Sequence, residues 1–338
     1  MDKNAYFLSL LSTDEKKLLQ KKPMPTFIKP MLAQLTNDRF SDKNWIFERK
    51  LDGERCLIFK KGQNIILKSR NNKILNESYP ELVAAAKELY SIDCILDGEI
   101  VAFKKKETSF SLLQQRFGVN YAAKKSPPKI PIYYYAFDIL YYDGYLVTDL
   151  PLLTRKTILK MVIPPKNKVL EYVEHKDEKG TLYFKQACKN KWEGLIAKKK
   201  KSLYLSKRSP NWLKFKCSNE QEFVIAGYTD PKGSRINFGA LLLGYFEKEK
   251  LKYAGKVGTG FNEETLKELG KKLKKNEIKK NPFINYDETT KNIHWVKPIL
   301  VCEVKFSEWT KTNKLRHPSY LGLRLDKAAK EVVQEIVK

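Results

Sequence analysis

Histidine is nearly absent: the 338 residues carry three, His175, His294 and His317. They are too dispersed to build a multi-histidine metal site. Cysteine is almost as sparse. Cys56, Cys94, Cys188, Cys217 and Cys302 are scattered without a CxxC pair, which argues against a zinc site and leaves reduced, mostly structural thiols as the expectation. No apolar run approaches the roughly 20 residues that a membrane span needs. The N-terminus MDKNAYFLSLLSTDEKK has too short an apolar stretch for a signal peptide, and no small-residue cleavage site. An intracellular protein is expected, cytoplasmic or nucleoid-associated in a prokaryote.

Acidic charge is also short. Against 65 Lys and Arg stand 39 Asp and Glu, for a formal net charge of +26. Such an excess draws polyanions by long-range attraction and counterion release. The plainer account is a Lys-rich proteome whose lysines solvate the surface, but matched Lys/Glu enrichment would leave the net charge nearer zero. Hydrophobic residues make up 42% and charged residues 31%, the balance of a soluble globular protein. The length suits two domains.

The first 22 or so residues place Phe7, Leu8, Leu10, Leu11, Leu18 and Leu19 at helical spacings, with Ser12 or Thr13 before Asp14 and Glu15 as a cap for a second turn. Pro23, Pro25 and Pro30 then break any helix. Residues 1–26 read as an N-terminal helical arm, docked on the body or offered to a partner. From Trp45 to Lys68 the chain alternates as strands do, around turns at Asp52-Gly53 and Lys61-Gly62. Residues 78–90 and 109–117 and the segment GTLYFKQACKNKW read as helices. CILDGEIVAF reads as a strand pair with Asp97-Gly98-Glu99 at its turn; IPIYYYAFDILYYDG, GLIAKKK and the end of LYLSKRSPNWLKFKC read as strands. Residues 27–218 thus form an α+β domain. Past a linker near residues 217–222, the segments EFVIAGYT, GALLLGYFE, LKYAGKVGTGF and ILVCEVKFSEWT are short strands with Gly-rich turns, interrupted by one helix, NEETLKELGKKLKKN. Five short strands and a helix over residues 219–338 suggest a small OB-type β-barrel. The glycines of GKVGTG have the wrong spacing for a GxxxxGK[ST] phosphate loop and read as barrel turns.

The segment Lys50-Leu51-Asp52-Gly53-Glu54-Arg55 closes a strand with a lysine and returns Arg55 towards it through a tight turn. A lysine amine is a poor nucleophile near its free pKa of about 10.4. Nearby cations favour its neutral form, and Arg55, Lys214 and Lys216 are candidates for that role. Asp97 and Glu99, two apart, share a face on a regular strand. With Glu193, which begins the strand Glu-Gly-Leu-Ile-Ala-Lys, they form a carboxylate set for a hard divalent cation. Lys214 and Lys216 also share one strand face, suited to phosphate oxygens. Each element alone reads equally well as a solvated strand edge; their company and order point to chemistry.

In that order these segments resemble the motifs of the covalent nucleotidyltransferase superfamily, which includes ATP-dependent DNA ligases and mRNA capping enzymes. Ser69-Arg70-Asn71 resembles the segment that follows the lysine motif. Tyr135-Ala136-Phe137-Asp138 resembles the strand whose aromatic stacks on the purine. RHPSYLGLRLDK, from Arg316 to Lys327, resembles the last motif, carried by the OB domain. With GALLLGYFE, YAGKVGTGF and EVKFSEWT, that ending is similar to the ligase module of bacterial ligase D and its single-module relatives. Leu325 is a departure, since relatives often carry Glu there. The resemblance spans roughly residues 27 to 335.

The resemblance implies that Lys50 attacks the α-phosphate of ATP, forming a phosphoamide with AMP and releasing pyrophosphate. It implies that Glu48 contacts the adenine amine, that Phe137 stacks on the base, and that Arg55, Arg70 and Glu99 hold the ribose and phosphate side. Glu193, with Glu99 or Asp97, would position Mg²⁺ or Mn²⁺, and Lys214 and Lys216 would bind the α-phosphate. Arg324, Asp326 and Lys327 would close over ATP and align the leaving pyrophosphate before the OB domain swings away to clamp nicked double-stranded DNA. AMP would then pass to the 5′-phosphate at the nick, and the 3′-hydroxyl would displace it. Two rivals stand beside this reading. One is a capping-type or RNA-sealing enzyme with the same lysine chemistry; the ligase-like tail from Gly239 to Lys327 argues against capping, while RNA or DNA preference stays open. The other is a catalytically dead DNA-binding scaffold, against which the intact Lys50, Glu99, Glu193, Lys214 and Lys216 argue. A monomer serving DNA repair is expected, acting alone or beside a Ku-like end-binding protein, with no room for the polymerase or phosphoesterase modules of some relatives.

Overall fold

The computed structural model describes residues 3–335 except 91, 122, 124–127, 166, 232, 234 and 291. The chain divides between Cys217 and Ser218 into two compact units. No described helix is long and apolar enough to cross a membrane.

Two larger sheets build the described part of the first unit, beside a two-stranded ribbon of Phe103–Lys104 and Glu107–Thr108. One runs Gln20–Lys21, Tyr145–Leu146, Tyr133–Tyr142, Cys94–Val101, Glu54–Lys61, Asn64–Ser69, with Leu170–Tyr172 added in parallel to Tyr133–Tyr142. The other runs His175–Asp177, Trp45–Lys50, Gly194–Lys199, Arg208–Lys216, Leu32–Leu35. Side chains alternate between the two faces of each strand. Cys56, Ile58 and Leu96 of the first sheet share a core with Leu82 and Ala86 of helix Pro80–Lys87 and with Ile158 and Leu159 of helix Leu152–Val162. Phe47, Leu195, Ala197 and Phe215 of the second sheet pack on Tyr183, Phe184 and Ala187 of helix Gly180–Lys189. The opposite faces meet through a third cluster, in which Leu57, Phe59 and Ile95 of the first sheet join Trp212 of the second, with Met31 and Tyr204.

The N-terminal residues form two helices, Lys3–Ser9 and Thr13–Leu18. Ser12 begins the second: its hydroxyl accepts from the Glu15 amide, and the Glu15 carboxylate accepts from the Ser12 amide, a reciprocal cap. Of the two alternatives for this arm, docking is the one seen. Phe7 and Leu11 are buried in the same core as Leu96, and Gln20–Lys21 pairs with Tyr145–Leu146 at the sheet edge.

Three features depart from the sequence reading. Cys94–Val101 is one continuous strand, so Asp97-Gly98-Glu99 lies mid-strand rather than at a turn. Gly98 answers to packing: a Cβ there would stand 2.4 Å from the Tyr134 ring. Helix Leu152–Val162 was not anticipated, because charged Arg155 and Lys156 stand among its buried residues and break its apolar periodicity. Cys188 and Cys217 form a disulfide, their Cα atoms 5.4 Å apart, against the expectation of reduced thiols. At a sequence separation of 29, no local spacing announces the pair. Cys56, Cys94 and Cys302 are free and buried.

The second unit is an OB-type barrel. Its main sheet runs Lys250–Val257, Leu241–Glu247, Asn219–Thr229, Ile293–Phe306, Glu277–Ile278, with Ser319–Leu323 also paired to Ile293–Phe306. Register shifts between Ile225 and Gly227 and between Leu243 and Gly244 mark the irregular pairing that bends strands and tightens twist. Helix Glu263–Lys275 starts at Asn262, whose side chain accepts from the Thr265 amide, and buries Leu266, Leu269 and Leu273. These join Phe223, Leu243 and Val304 in one core.

Candidate active site

Three rows of side chains cross one face of the second sheet. Register aligns Lys50 with Gly194 and Gly194 with Lys216; next Glu48 with Ile196 and Ile196 with Lys214; then Ile46 with Lys198 and Lys198 with Trp212. Directly opposed residues share a face, so the sheet sets a lysine, a carboxylate and three further lysines in one patch. Past Lys50 the chain turns through Asp52-Gly53 into the first sheet. Gly53 has no room for a side chain, since a Cβ would stand 2.1 Å from the Ile100 carbonyl oxygen.

Gly194 is constrained in the same way. Its φ is +155°, and a Cβ would lie 1.8 Å from the Phe215 oxygen. The row is therefore bare between Lys50 and Lys216, and the neighbouring Glu193 carboxylate serves both. It accepts from Lys50 Nζ at 2.5 Å, and its other oxygen lies 3.9 Å from Lys216 Nζ. Burial alone would lower the Lys50 pKa. The Glu193 carboxylate outweighs burial and the opposing Lys216 charge, so the amine lies above its usual 10.5. This corrects the expectation of an amine made neutral by surrounding cations: Arg55 is held elsewhere, and a carboxylate stands at the nitrogen. Burial would raise Glu193, but Lys50 and Lys216 bring it below the usual carboxylate range.

Glu48 is 2% exposed. Lys156 Nζ donates to Oε1, and Lys198 Nζ lies 2.6 Å from Oε2. Burial would raise its carboxyl; the two ammonium groups bring it below its ordinary value. Burial pushes the Lys198 amine down to about 8, against the pull of Glu48. Lys198 Nζ stands 4.3 Å from the Phe137 ring centre and 4.1 Å from that of Trp212. Sequence reasoning singled out neither lysine. Lys198 had a signal, since it follows Ile196 by two on a strand already implicated. Lys156 had none, because its helix was itself unanticipated.

On the first sheet, Arg55 donates through Nε and Nη2 to the Asp97 carboxylate at 2.5 and 2.6 Å, and Tyr204 adds its hydroxyl at 2.6 Å. Asp97 is fully buried. Its oxygens are committed to these partners, so the expectation that Asp97 helps to hold a metal is corrected: it anchors Arg55. The Arg55 guanidinium lies 4.5 Å from the Phe137 ring centre. Glu99 is opposite Arg55 in register, and Arg70 directly follows the strand Asn64–Ser69. Asp138 is fully buried and doubly bonded to Arg155 at 2.7 and 2.9 Å, which makes it an internal anchor. Glu193 could offer a hard divalent cation one oxygen ligand: Oε2 takes Lys50 Nζ, whereas Oε1 stands 3.9 Å from Lys216 Nζ, beyond hydrogen-bond distance of it. In the second unit Arg324 donates to Asp326 at 3.0 and 2.9 Å and to Glu303 at 3.1 Å, and Lys327 Nζ lies 2.7 Å from Glu222.

Two family models match the chain. The one for the ATP dependent DNA ligase domain covers residues 30–216, and the one for the ATP dependent DNA ligase C terminal region covers residues 234–327. The multifunctional non-homologous end joining protein LigD of Pseudomonas aeruginosa is 35% identical over 322 residues, 93% of this chain and 37% of that protein. The DNA ligase of Thermococcus fumicolans is 30% identical, over 90% of this chain and 57% of that protein. The chain thus spans less than two thirds of either relative. A solved structure of mycobacterial DNA ligase D complexed with ATP and MES aligns with a TM-score of 0.67 at 32% identity, covering 92% of this chain and all of that one.

Proposed function

The chain belongs to the family of ATP-dependent DNA ligases, and from that premise we propose that it seals nicks in double-stranded DNA through a covalent lysyl-AMP intermediate on Lys50. The observation that carries this reading is the cluster of Lys50, Glu193 and Lys216, with contacts of 2.5 and 3.9 Å. It sets a nucleophile and a phosphate-binding cation on one sheet face, with a carboxylate between them.

Lys50 Nζ, once deprotonated, bonds to the α-phosphorus of ATP and gives up a second proton to solvent; the bond to the bridging oxygen breaks and pyrophosphate leaves with its electron pair. An oxygen of the 5′-phosphate at the nick then attacks the AMP phosphorus, the P–N bond breaks, and the lysine recovers its proton. The 3′-hydroxyl attacks the activated 5′-phosphorus, loses its proton and displaces AMP. Such transfers depend on in-line placement and charge neutralisation. Lys214 and Lys216 bind the α-phosphate, and Arg55, Arg70 and Glu99 hold the ribose and phosphate side. Phe137 stacks on adenine, whose amine meets Glu48. Glu193, with Glu99, would hold Mg²⁺ or Mn²⁺, which supplies neutralisation of phosphate charge. Arg324, Asp326 and Lys327 align the leaving pyrophosphate. The end-joining name of the LigD relative supports a role in DNA repair, by a monomer working alone or beside a Ku-like end-binding protein.

Incubating the protein with α-³²P-ATP or α-³²P-GTP and Mg²⁺, followed by a denaturing gel, tests this. The expected result is label from ATP that is absent in Lys50→Ala and discharged by nicked DNA. Label from GTP would move the protein to capping chemistry; no label from either would favour the scaffold.

A further inference from the structure

Glu222 and Glu303 stand directly opposite one another on strands Asn219–Thr229 and Ile293–Phe306. Like charges in that relation destabilise a sheet, and both carboxylates are largely covered, with side chains 20% and 9% exposed. Cations bridge them. Arg324 Nη1 lies 3.1 Å from Glu303 and 3.7 Å from Glu222, and Lys327 Nζ lies 2.7 Å from Glu222. Asp326 takes Nε and Nη2 of the same guanidinium. The Arg324 amide donates to the Val301 oxygen at 2.7 Å, immediately after strand Ser319–Leu323 ends. Main chain and side chain of Arg324 are therefore both fixed.

A sheet selected for folding alone would place neutral or apolar residues at such a pair. Proteins break such local rules mostly at functional positions and compensate for them nearby, as Arg324 and Lys327 do here. Glu222 and Glu303 lie outside the segment Arg316–Lys327, yet both reach its cations.

We propose that Glu222 and Glu303 are positioning residues for the first chemical step: they hold Arg324 and Lys327 in the orientation in which these cations meet the leaving pyrophosphate. The proposal rests on the pyrophosphate role given above to Arg324 and Lys327. Long cationic side chains lose rotamer freedom when they engage a phosphate; the carboxylate frame removes that freedom beforehand. Burial works against the Arg324 charge, and Asp326 and Glu303 outweigh it, so the guanidinium stays ionised. Because pyrophosphate departs as lysyl-AMP forms, the later steps on DNA do not draw on this frame.

The test uses the full chain carrying Glu222→Gln, Glu303→Gln, both together, or Glu303→Asp. Two rates are read: lysyl-AMP formation from α-³²P-ATP in a single turnover, and closure of a nick already carrying 5′-AMP, which needs no ATP. The double variant is expected to slow lysyl-AMP formation on the order of tenfold to a hundredfold, the cost of misplacing a reacting-site group by about an ångström. Glu303→Asp recovers part of that loss, and closure of the pre-adenylated nick is unchanged. Lysyl-AMP formation that is unchanged or faster would overturn the proposal, as would equal loss in both assays. Arg324→Ala separates the two layers. If it forms lysyl-AMP at the wild-type rate, the pyrophosphate role itself fails; if it is slow while the double glutamine variant is normal, only the positioning role fails.

Discussion

Lys50 Nζ lies 2.5 Å from a Glu193 oxygen, and this contact favours the charged form of the proposed nucleophile. Burial and Lys216 both act to lower the Lys50 pKa; Glu193 foremost, with Asp52, raises it above its usual value. The amine becomes a nucleophile only once it has lost its proton, which that pairing opposes.

Substituting Glu193→Gln removes the charge that raises the amine. The Lys50 pKa then falls, and a larger fraction is neutral at any given pH. An acylating reagent reacts with the neutral amine alone, so the curve of Lys50 labelling against pH is expected to move to lower pH in the variant. Mass spectrometry of ATP-free protein measures it. A curve that stays in place would show that Glu193 does not control the protonation of Lys50.

The Cys188–Cys217 disulfide closes a loop across 29 residues. Loop-closure entropy assigns such a bond about 3 to 4 kcal/mol of stability. Denaturant titration with and without a reductant, and of Cys188→Ser, is expected to show a loss of that order. Thiol titration in urea gives an independent count: three free thiols before reduction and five after, from the three free cysteines and the bonded pair.

Arg155 and Asp138 are both fully buried and joined by two hydrogen bonds. Removing one partner leaves the other charge uncompensated, at a cost of about 3 to 5 kcal/mol. Arg155→Met is expected to destabilise the protein by that much in chemical denaturation. The double variant Arg155→Met/Asp138→Leu should recover most of the loss; a double variant no better than the single one would show that the pair's geometry, not the orphaned charge, is what matters.

Much of this site was legible because its residues lie on strands at spacings of two. Lys214 and Lys216, or Glu48 and Lys50, announce a shared face without further information. Asp97 was misread for a physical reason: a carboxylate on a strand face looks the same whether an arginine or a metal ion is its partner, and Tyr204, more than a hundred residues away in sequence, carries no local mark of that bond. Gly98 was misread because glycine serves both turns and close packing, and only Tyr134 decides between them. Lys156 was missed because a buried charge erases the apolar stripe by which a helix is found. The disulfide was missed because spatial proximity of Cys188 and Cys217 depends on where helix Gly180–Lys189 meets the end of strand Arg208–Lys216.

The middle row of the second sheet reads Glu48, Ile196, Lys214. Ile196 is the uncharged one of these three side chains, half-buried between a carboxylate and a lysine. For an engineer seeking to test the proposed purine site with a bulkier or altered base, several positions on this face are locked: Gly194 by backbone contact, and Glu48 and Lys198 by each other. Ile196 can be trimmed to valine or alanine without orphaning any charge, which makes it the natural first position to randomise in a library for nucleotide analogues.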